Sequence, residues 1–206
     1  MSLIERARNL AQGYIESHQP QCAAFWADKA HTLSNGDPND TFLLAQALFA
    51  LKQYKRAVHL LSKNEVAGKS DPFRYLVAKC HAECGEWSDA LEALEDLSDR
   101  SIMERALDSD STERQCEGMS DGSCLFSTSN LVSATQLLKG KAHEALGNVE
   151  DAVDCFKACL VSDVFCAEAL QRLTHHQYLT HQEEVGLLES LPFNEQCTEE
   201  EGKMLR

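Results

Sequence analysis

The chain has 206 residues, 43% hydrophobic and 25% charged, with ten Gly and four Pro, which is enough apolar material for one extended or two small cores. Its longest apolar runs, such as Phe42 to Ala45, fall far short of the roughly 20 residues that a bilayer crossing needs, and Met1 to Leu10 alternates charged with apolar residues. Nineteen Lys and Arg against 33 Asp and Glu leave a formal charge of −14, which repels phosphate backbones and anionic lipid. Neither a membrane span, nor a secretory signal, nor a nucleic-acid partner is expected.

In chain order, four segments align in which a small residue opens a second helix after a short turn: Ala23, Ala57, Ala90 and Ala152, spaced by 34, 33 and 62 residues. A weaker fifth copy puts Val185 another 33 residues on, so the long interval is one period plus about 28 residues. A period of 33 to 34 with two helices per unit is the tetratricopeptide signature. The expected fold is all-α, a tetratricopeptide-repeat solenoid of antiparallel helix pairs wound as a right-handed superhelix.

Where the two helices of such a unit cross, only small residues fit. Those places read Ala11, Ala23 and Ala30, then Ala45 and Ala57, then Ala78 and Ala90, then Gly140, Ala152 and Cys159. Asn64 and Leu97 break the rule in the second and third units, so those second helices are expected to end early or splay. Gly85 and Gly147 suit the left-handed conformation that closes a helix, and Lys52 stands at the equivalent turn. Asp37-Pro38 and Asp71-Pro72 each read as an N-cap followed by Pro in the first turn.

These elements divide the chain into repeats 1–3 over residues 1–97, an insertion over 98–130, repeats 4 and 5 over 131–192 and an acidic segment over 193–206. The insertion is rich in Ser, Thr, Asp and Glu, and its sparse apolar residues cannot offset ordering entropy, so a largely disordered loop is expected. Ile102, Met103, Ala106 and Leu107 allow the preceding helix to run on briefly. No Ser-Pro or Thr-Pro occurs in it, so proline-directed kinases find no minimal site. Beyond it, helix is expected from Phe165 to Tyr178 and again after His181 through Leu188. No polar capping repeat follows, which suggests the N-terminal part of a longer protein.

No Gly-x-Ser-x-Gly elbow, phosphate-binding Gly loop or dinucleotide fingerprint occurs, so an enzyme is not expected. Nine cysteines, an odd number without a tight framework, read as reduced thiols of the cytosol or nucleus, mostly packing as small residues. Cys80 with Cys84 and Cys155 with Cys159 are four apart, near His81 and His143, whereas zinc sites favour two intervening residues in a turn. His175, His176 and His181 lack partners at metalloprotease spacing, and Glu199 to Glu201 reads as a solvated end. No catalytic, cofactor-binding or metal residue is assigned.

Positions five and nine of each first helix, which line the concave groove of this fold, read Arg8 and Gln12, Phe42 and Gln46, Tyr75 and Lys79, and Leu137 and Lys141. The Lys and Asn pair that grips acidic peptide tails is missing from every unit. A large apolar residue beside a long polar one suits an amphipathic helix instead. Leu3, Ile4, Leu10 and Tyr14 give the opening helix such an apolar face. The interface residues expected are these four with Phe42, Gln46, Tyr75, Lys79, Leu137 and Lys141, on a frame packed through Ala23, Ala57, Ala90, Gly140 and Ala152.

A narrower match lies in Phe25-Trp26-Ala27-Asp28-Lys29, Leu33-Ser34-Asn35, Leu44-Ala45-Gln46, Tyr54, Arg56-Ala57, His59, Arg74-Tyr75-Leu76 and Cys80-His81. It continues in Leu137-Leu138, Gly140-Lys141, Ala145-Leu146, Asn148, Leu173-Thr174, His176 and Leu187 to Pro192. These residues resemble the first repeats of the sixth subunit of the anaphase-promoting complex, or cyclosome, a family with a polar insertion at the same place. The resemblance implies a non-catalytic scaffold in a multi-subunit ubiquitin ligase of mitotic cell-cycle control, in the nucleus and cytoplasm and at the spindle. It implies a homodimer, each first helix lying in the other copy's groove, and contacts with other subunits of the complex. The family's accessory-subunit repeats are missing from this chain. The other readings are a monomeric tetratricopeptide adaptor holding a short peptide or helix of another pathway, and a metal-binding or redox protein built on the cysteine pairs.

Overall fold

Four times, at the intervals expected of the repeat, one residue in left-handed backbone conformation ends a helix: His18 (φ 54°), Lys52 (φ 59°), Gly85 (φ 77°) and Gly147 (φ 84°). The computed structural model describes residues 2–63, 70–95, 97, 128–198 and 200–201, the side chains of 128–130 excepted. At each of these turns the residue after the left-handed one donates back to a carbonyl five residues earlier: Gln19 to Tyr14 (2.9 Å), Gln53 to Leu48 (2.9 Å), Glu86 to His81 (2.9 Å) and Asn148 to His143 (2.9 Å). That bond satisfies an orphan carbonyl and turns the chain for an antiparallel partner.

The helices so paired are α1 (Leu3–Glu16) with α2 (Pro20–Leu33), α3 (Pro38–Ala50) with α4 (Tyr54–Ser62), α5 (Asp71–Glu83) with α6 (Trp87–Leu94), and α7 (Thr128–Leu146) with α8 (Val149–Ser162). α9 (Ala167–His175), α10 (His181–Ser190) and the single turn α11 (Phe193–Gln196) follow, and the described residues contain no strand. The all-α repeat architecture is as expected. α4 and α6, of 9 and 8 residues, are shorter than the 14-residue α2 and α8, in line with the broken small-residue rule in those units. Asn64, the insertion to residue 127 and its expected helical run-on lie outside the described residues, whereas Thr128 to Asn130 already belong to α7.

The chain forms two compact units, Met1–Ala93 and Leu94–Arg206. In the first, α1 packs on α2, α2 on α3, α3 on α4 and α4 on α5, while α1 also touches α3 and α3 touches α5. First helices therefore stack on first helices. Ala11, Ala23, Ala30, Ala45, Ala57, Ala78 and Ala90 are wholly buried, as the crossing rule requires, and Ala27, Leu44, Leu48, Leu61, Phe73 and Leu76 fill the space between. Asp37 caps α3 by accepting from Asn39 N (2.9 Å), as read from the sequence. At α5 the cap is Ser70 and Asp71 is the first helical residue, one position earlier than expected.

In the second unit α7 packs on α8 and α8 on α9 around Phe156, Leu160, Leu173, Leu187 and Phe193. Phe156 explains Gly140: a Cβ there would stand 2.5 Å from Phe156 Cε1. The glycine is the hole for that ring, which no side chain in a real contact could share. The fifth unit departs from the pattern. α9 has nine residues rather than the fourteen expected from Phe165 to Tyr178, because Gln177 (φ 53°) closes it, and Val185 is 43% exposed instead of filling a helix crossing. Gln196 ties the end back, its Oε1 accepting from Val164 N (3.0 Å) and its Nε2 donating to Val161 O (3.0 Å).

Candidate protein-binding site

Within the first unit the groove positions lie on α1, α3 and α5. Arg8 is engaged by its own chain: Nε and Nη2 hold the two carboxylate oxygens of Asp40 at 2.6 and 2.7 Å. Asp40 is 1% exposed, and burial alone would raise its carboxyl. Hydrogen bonds from Arg8 and Ser34 outweigh that, and the net direction is down, while the same bond to Asp40 raises the Arg8 guanidinium against burial. Beside it Thr41 Oγ1 donates to Asp37 O (2.9 Å) and lies 3.2 Å from His31 Nδ1. Asp40, Thr41 and His31 carry no sequence signal of this role, since each stands at an ordinary helical position.

Phe42 is placed inside, 9% exposed, with its ring 4.9 Å from that of Phe73. The surface that α3 and α5 present instead combines Gln46, Tyr75 and Lys79 with Phe49. Lys79 Nζ stands 5.2 Å from the Phe49 ring centroid and 6.0 Å from that of Tyr75, and the Tyr54 ring lies 5.3 Å from Phe49. Phe49 occupies position twelve, the groove position next to those read from the sequence. Two aromatic faces under one ammonium form a flat, amphipathic platform, each cation–π contact worth about 0.5–1 kcal/mol at an exposed site.

At the start of α1, Leu3 is 67% exposed and Ile4 and Leu10 partly so, while Tyr14 packs against the core. A capping box between Ser2 and Glu5 fixes this end, Glu5 N donating to Ser2 Oγ (3.1 Å) and Ser2 N to Glu5 Oε2 (2.7 Å). Phe25 and Leu33 on α2 are also exposed, at 54% and 44%, with Lys29 Nζ 5.5 Å above the Phe25 ring and Trp26 edge-on to it at 5.4 Å.

In the second unit, Leu137 packs against the core and Lys141 Nζ pairs with Glu168 (2.6 Å). Glu144 gathers three partners from beyond α8: Arg172, the Tyr178 hydroxyl (2.9 Å) and His176 Nε2 (3.4 Å), whose ring stacks on Tyr178. This network pins α9 to α7 and absorbs His176. His181, 91% exposed, lies apart beside Glu184 (4.0 Å). An open cavity of about 680 Å³ beside α9 is lined by Glu168, Gln171, Arg172, Thr174, His175 and His176.

Metal ligation has one geometric candidate among the described residues, His81, Glu86 and Asp89, whose ligand atoms lie within 4.8 Å of one another. Lys55 already pairs with Glu86, and His81 Nδ1 stands 2.8 Å from Glu86 Oε2, so the carboxylates are met by the protein's own groups. Cys80 is wholly buried, and burial pushes its thiol up to about 12, the reverse of what a thiolate ligand needs. No helix among the described residues is long and apolar enough to cross a membrane.

The comparisons with known proteins bear out the resemblance read from the residues. A family model described as "Anaphase-promoting complex, cyclosome, subunit 3" matches residues 16–97. The human "Cell division cycle protein 16 homolog" is 39% identical over 202 residues, covering 96% of this chain and 32% of the relative. "Anaphase-promoting complex subunit 6" of Arabidopsis thaliana is 37% identical over 193 residues, 93% of this chain and 34% of the relative. Among solved structures, that described as "Crystal structure of APC/C hetero-tetramer Cut9-Hcn1" superposes with a TM-score of 0.75 at 27% identity, over all of this chain and 35% of its own. Over nearly its whole length this is a tetratricopeptide-repeat chain similar to the sixth subunit of the anaphase-promoting complex, and it spans about a third of the length of the relatives it matches.

Proposed function

We propose that the chain is a non-catalytic scaffold subunit of an anaphase-promoting complex, a ubiquitin ligase of mitotic cell-cycle control, and that it pairs with a second copy through its first repeats. The observation that carries the reading is 37% identity over 93% of the chain to a relative named "Anaphase-promoting complex subunit 6". Further support comes from Leu3 and Phe25, large side chains exposed on α1 and α2 where a soluble helix pair gains nothing from showing them. Covering a large apolar side chain contributes about 1.5–3 kcal/mol, and a two-fold contact counts each one twice, so a few per copy offset typical association costs.

The partner's opening helix would lie along the Phe49, Tyr75 and Lys79 platform, with Gln46 at its edge. Phe42 lies inside, against Phe73, and belongs to the core of the same two helices. Affinity purification of the tagged chain from dividing cells, nuclear and cytoplasmic fractions apart, tests the assignment. The expected result is recovery of other anaphase-promoting complex subunits together with an untagged copy of this chain. Recovery of an unrelated pathway's proteins alone would overturn it in favour of a monomeric adaptor.

A further inference from the structure

The turn that joins α5 to α6 gathers three metal-ligating side chains within nine residues. His81 lies in the last turn of α5, Asp89 in the first turn of α6, and Glu86 between them, directly after the left-handed Gly85 (φ 77°). The backbone fixes their spacing, with Glu86 N donating to His81 O (2.9 Å) and Gly85 N to Ala82 O (2.9 Å). His81 Nδ1 stands 2.8 Å from Glu86 Oε2 and 3.9 Å from Asp89 Oδ2, and the three ligand atoms lie within 4.8 Å of one another. The side chains are 19%, 31% and 59% exposed, so an ion reaches them from solvent.

We propose that His81, Glu86 and Asp89 form a binding site for a divalent metal ion of the zinc kind, ligated through Nδ1, Oε2 and Oδ2 with water in the fourth position. Two carboxylates balance the charge of such an ion, and an imidazole selects the first-row metals over calcium and magnesium. Bonds of about 2.0–2.1 Å to a tetrahedral ion put its ligand atoms about 3.3–3.4 Å apart, midway between the 2.8 and 3.9 Å found here. Shifts of about half an ångström at the side-chain ends close the site. Lys55 does not fill it, because the ammonium pairs with Glu86 Oε1 and leaves Oε2 facing His81. It orients the carboxylate, as a group behind a ligand does. In the metal-free chain a proton joins Nδ1 to that Oε2, and the ion takes the proton's place.

The fourth repeat carries a natural control. Sixty-two residues on, His143 and Asp151 recur with Nδ1 and Oδ2 3.7 Å apart, and Asn148 N donates to His143 O (2.9 Å) as Glu86 N does to His81 O. Asn148 stands where the third repeat has Glu86. There His143 Nδ1 is buried without a hydrogen-bond partner among the described residues. The second turn thus has the frame of the site and lacks its middle ligand.

Zinc chloride is titrated calorimetrically into the whole chain, kept reduced, and into Glu86→Gln, Asp89→Asn and Asn148→Glu. At micromolar zinc the wild type is expected to bind one ion more than Glu86→Gln or Asp89→Asn, whose affinity at this site falls by at least about tenfold. Asn148→Glu is expected to bind one ion more than the wild type. With cobalt in place of zinc, the difference spectrum between wild type and Glu86→Gln should show visible bands without the strong near-ultraviolet band of thiolate ligation, which separates this site from the cysteines. The proposal is overturned if the wild type, Glu86→Gln and Asp89→Asn bind the same number of ions, or if the cobalt difference reports thiolate. Both amide variants keep the size of the side chain at an accessible turn and are checked for unchanged circular dichroism, so their comparison decides even if Asn148→Glu fails to fold.

Discussion

The two compact units solve the same packing problem with different residues. In the first, three helix pairs meet through buried alanines, Ala11, Ala23 and Ala30, Ala45 and Ala57, and Ala78 and Ala90, and large side chains such as Leu44, Leu61 and Phe73 are spread between them. In the second, one glycine faces one phenylalanine: Gly140 yields its volume to Phe156, and the rest of that core is arranged around the ring. The difference teaches that the repeat prescribes a total volume at each crossing, not a residue. Alanine against leucine at Ala45 and Leu61 fills the same two places as glycine against phenylalanine at Gly140 and Phe156, sixteen residues apart in each unit.

The sharpest way to break this symmetry is Phe156→Ala, which leaves a ring-sized void that Gly140 cannot fill. A loss of about 3–5 kcal/mol is expected by denaturant unfolding, against about 2–4 kcal/mol for Leu61→Ala in the first unit. Equal losses would mean that the second core relaxes as readily as the first.

The first unit also holds a buried polar link. Arg8→Met strands Asp40 without its partner, and a loss of about 2–3 kcal/mol is expected, below the value for a wholly buried pair because a third of Arg8 faces solvent. Asp40 has its carboxyl lowered in the folded state, so the stability it contributes is complete above about pH 4 and is lost as pH falls through the lowered folded value. Acid unfolding of the wild type should therefore be steeper than that of Arg8→Met.

Gly140→Ala is expected to cost about 1–3 kcal/mol through overpacking, although alanine is the better helix former. Adding Phe156→Leu should return part of that loss, since it removes the atoms the new methyl group meets. Failure of the second change to help would contradict the volume rule.

The smallest effects test the turns. Gly85→Ala and Gly147→Ala are each expected to cost about 1 kcal/mol, because an L side chain is strained at those positive φ values. Lys52→Gly, at the matching turn, is expected to raise stability by about 0.5–1 kcal/mol, read as a shift in thermal midpoint.

Much of the fold was legible because the small-residue positions recur at 34, 33 and 62 residues, and a crossing leaves little choice of side chain. Gly85 and Gly147 showed their turns. Lys52 and His18 adopt the same backbone without a residue type that betrays it. The fifth unit was misread because Val185 keeps the period while α9 does not. Its length is decided by the turn at Gln177 and by bonds from Gln196 to residues more than thirty positions away. Of the groove, the sequence reading reached positions five and nine, Gln46 and Lys79 among them; Phe49 was missed, although position twelve lies on the same helical frame. The burial of Phe42 and the capture of Arg8 by Asp40 depend on contacts between repeats, where each residue alone reads as an ordinary groove position.

The claim on which the functional account rests is that the first repeats join two copies. Light scattering of the purified chain at micromolar concentration is expected to give twice the 22.9 kDa chain mass, and Leu3→Asp with Phe25→Asp to shift it toward the single-chain mass while the helical content stays unchanged. A wild-type chain that stays at 22.9 kDa across that range would contradict the account.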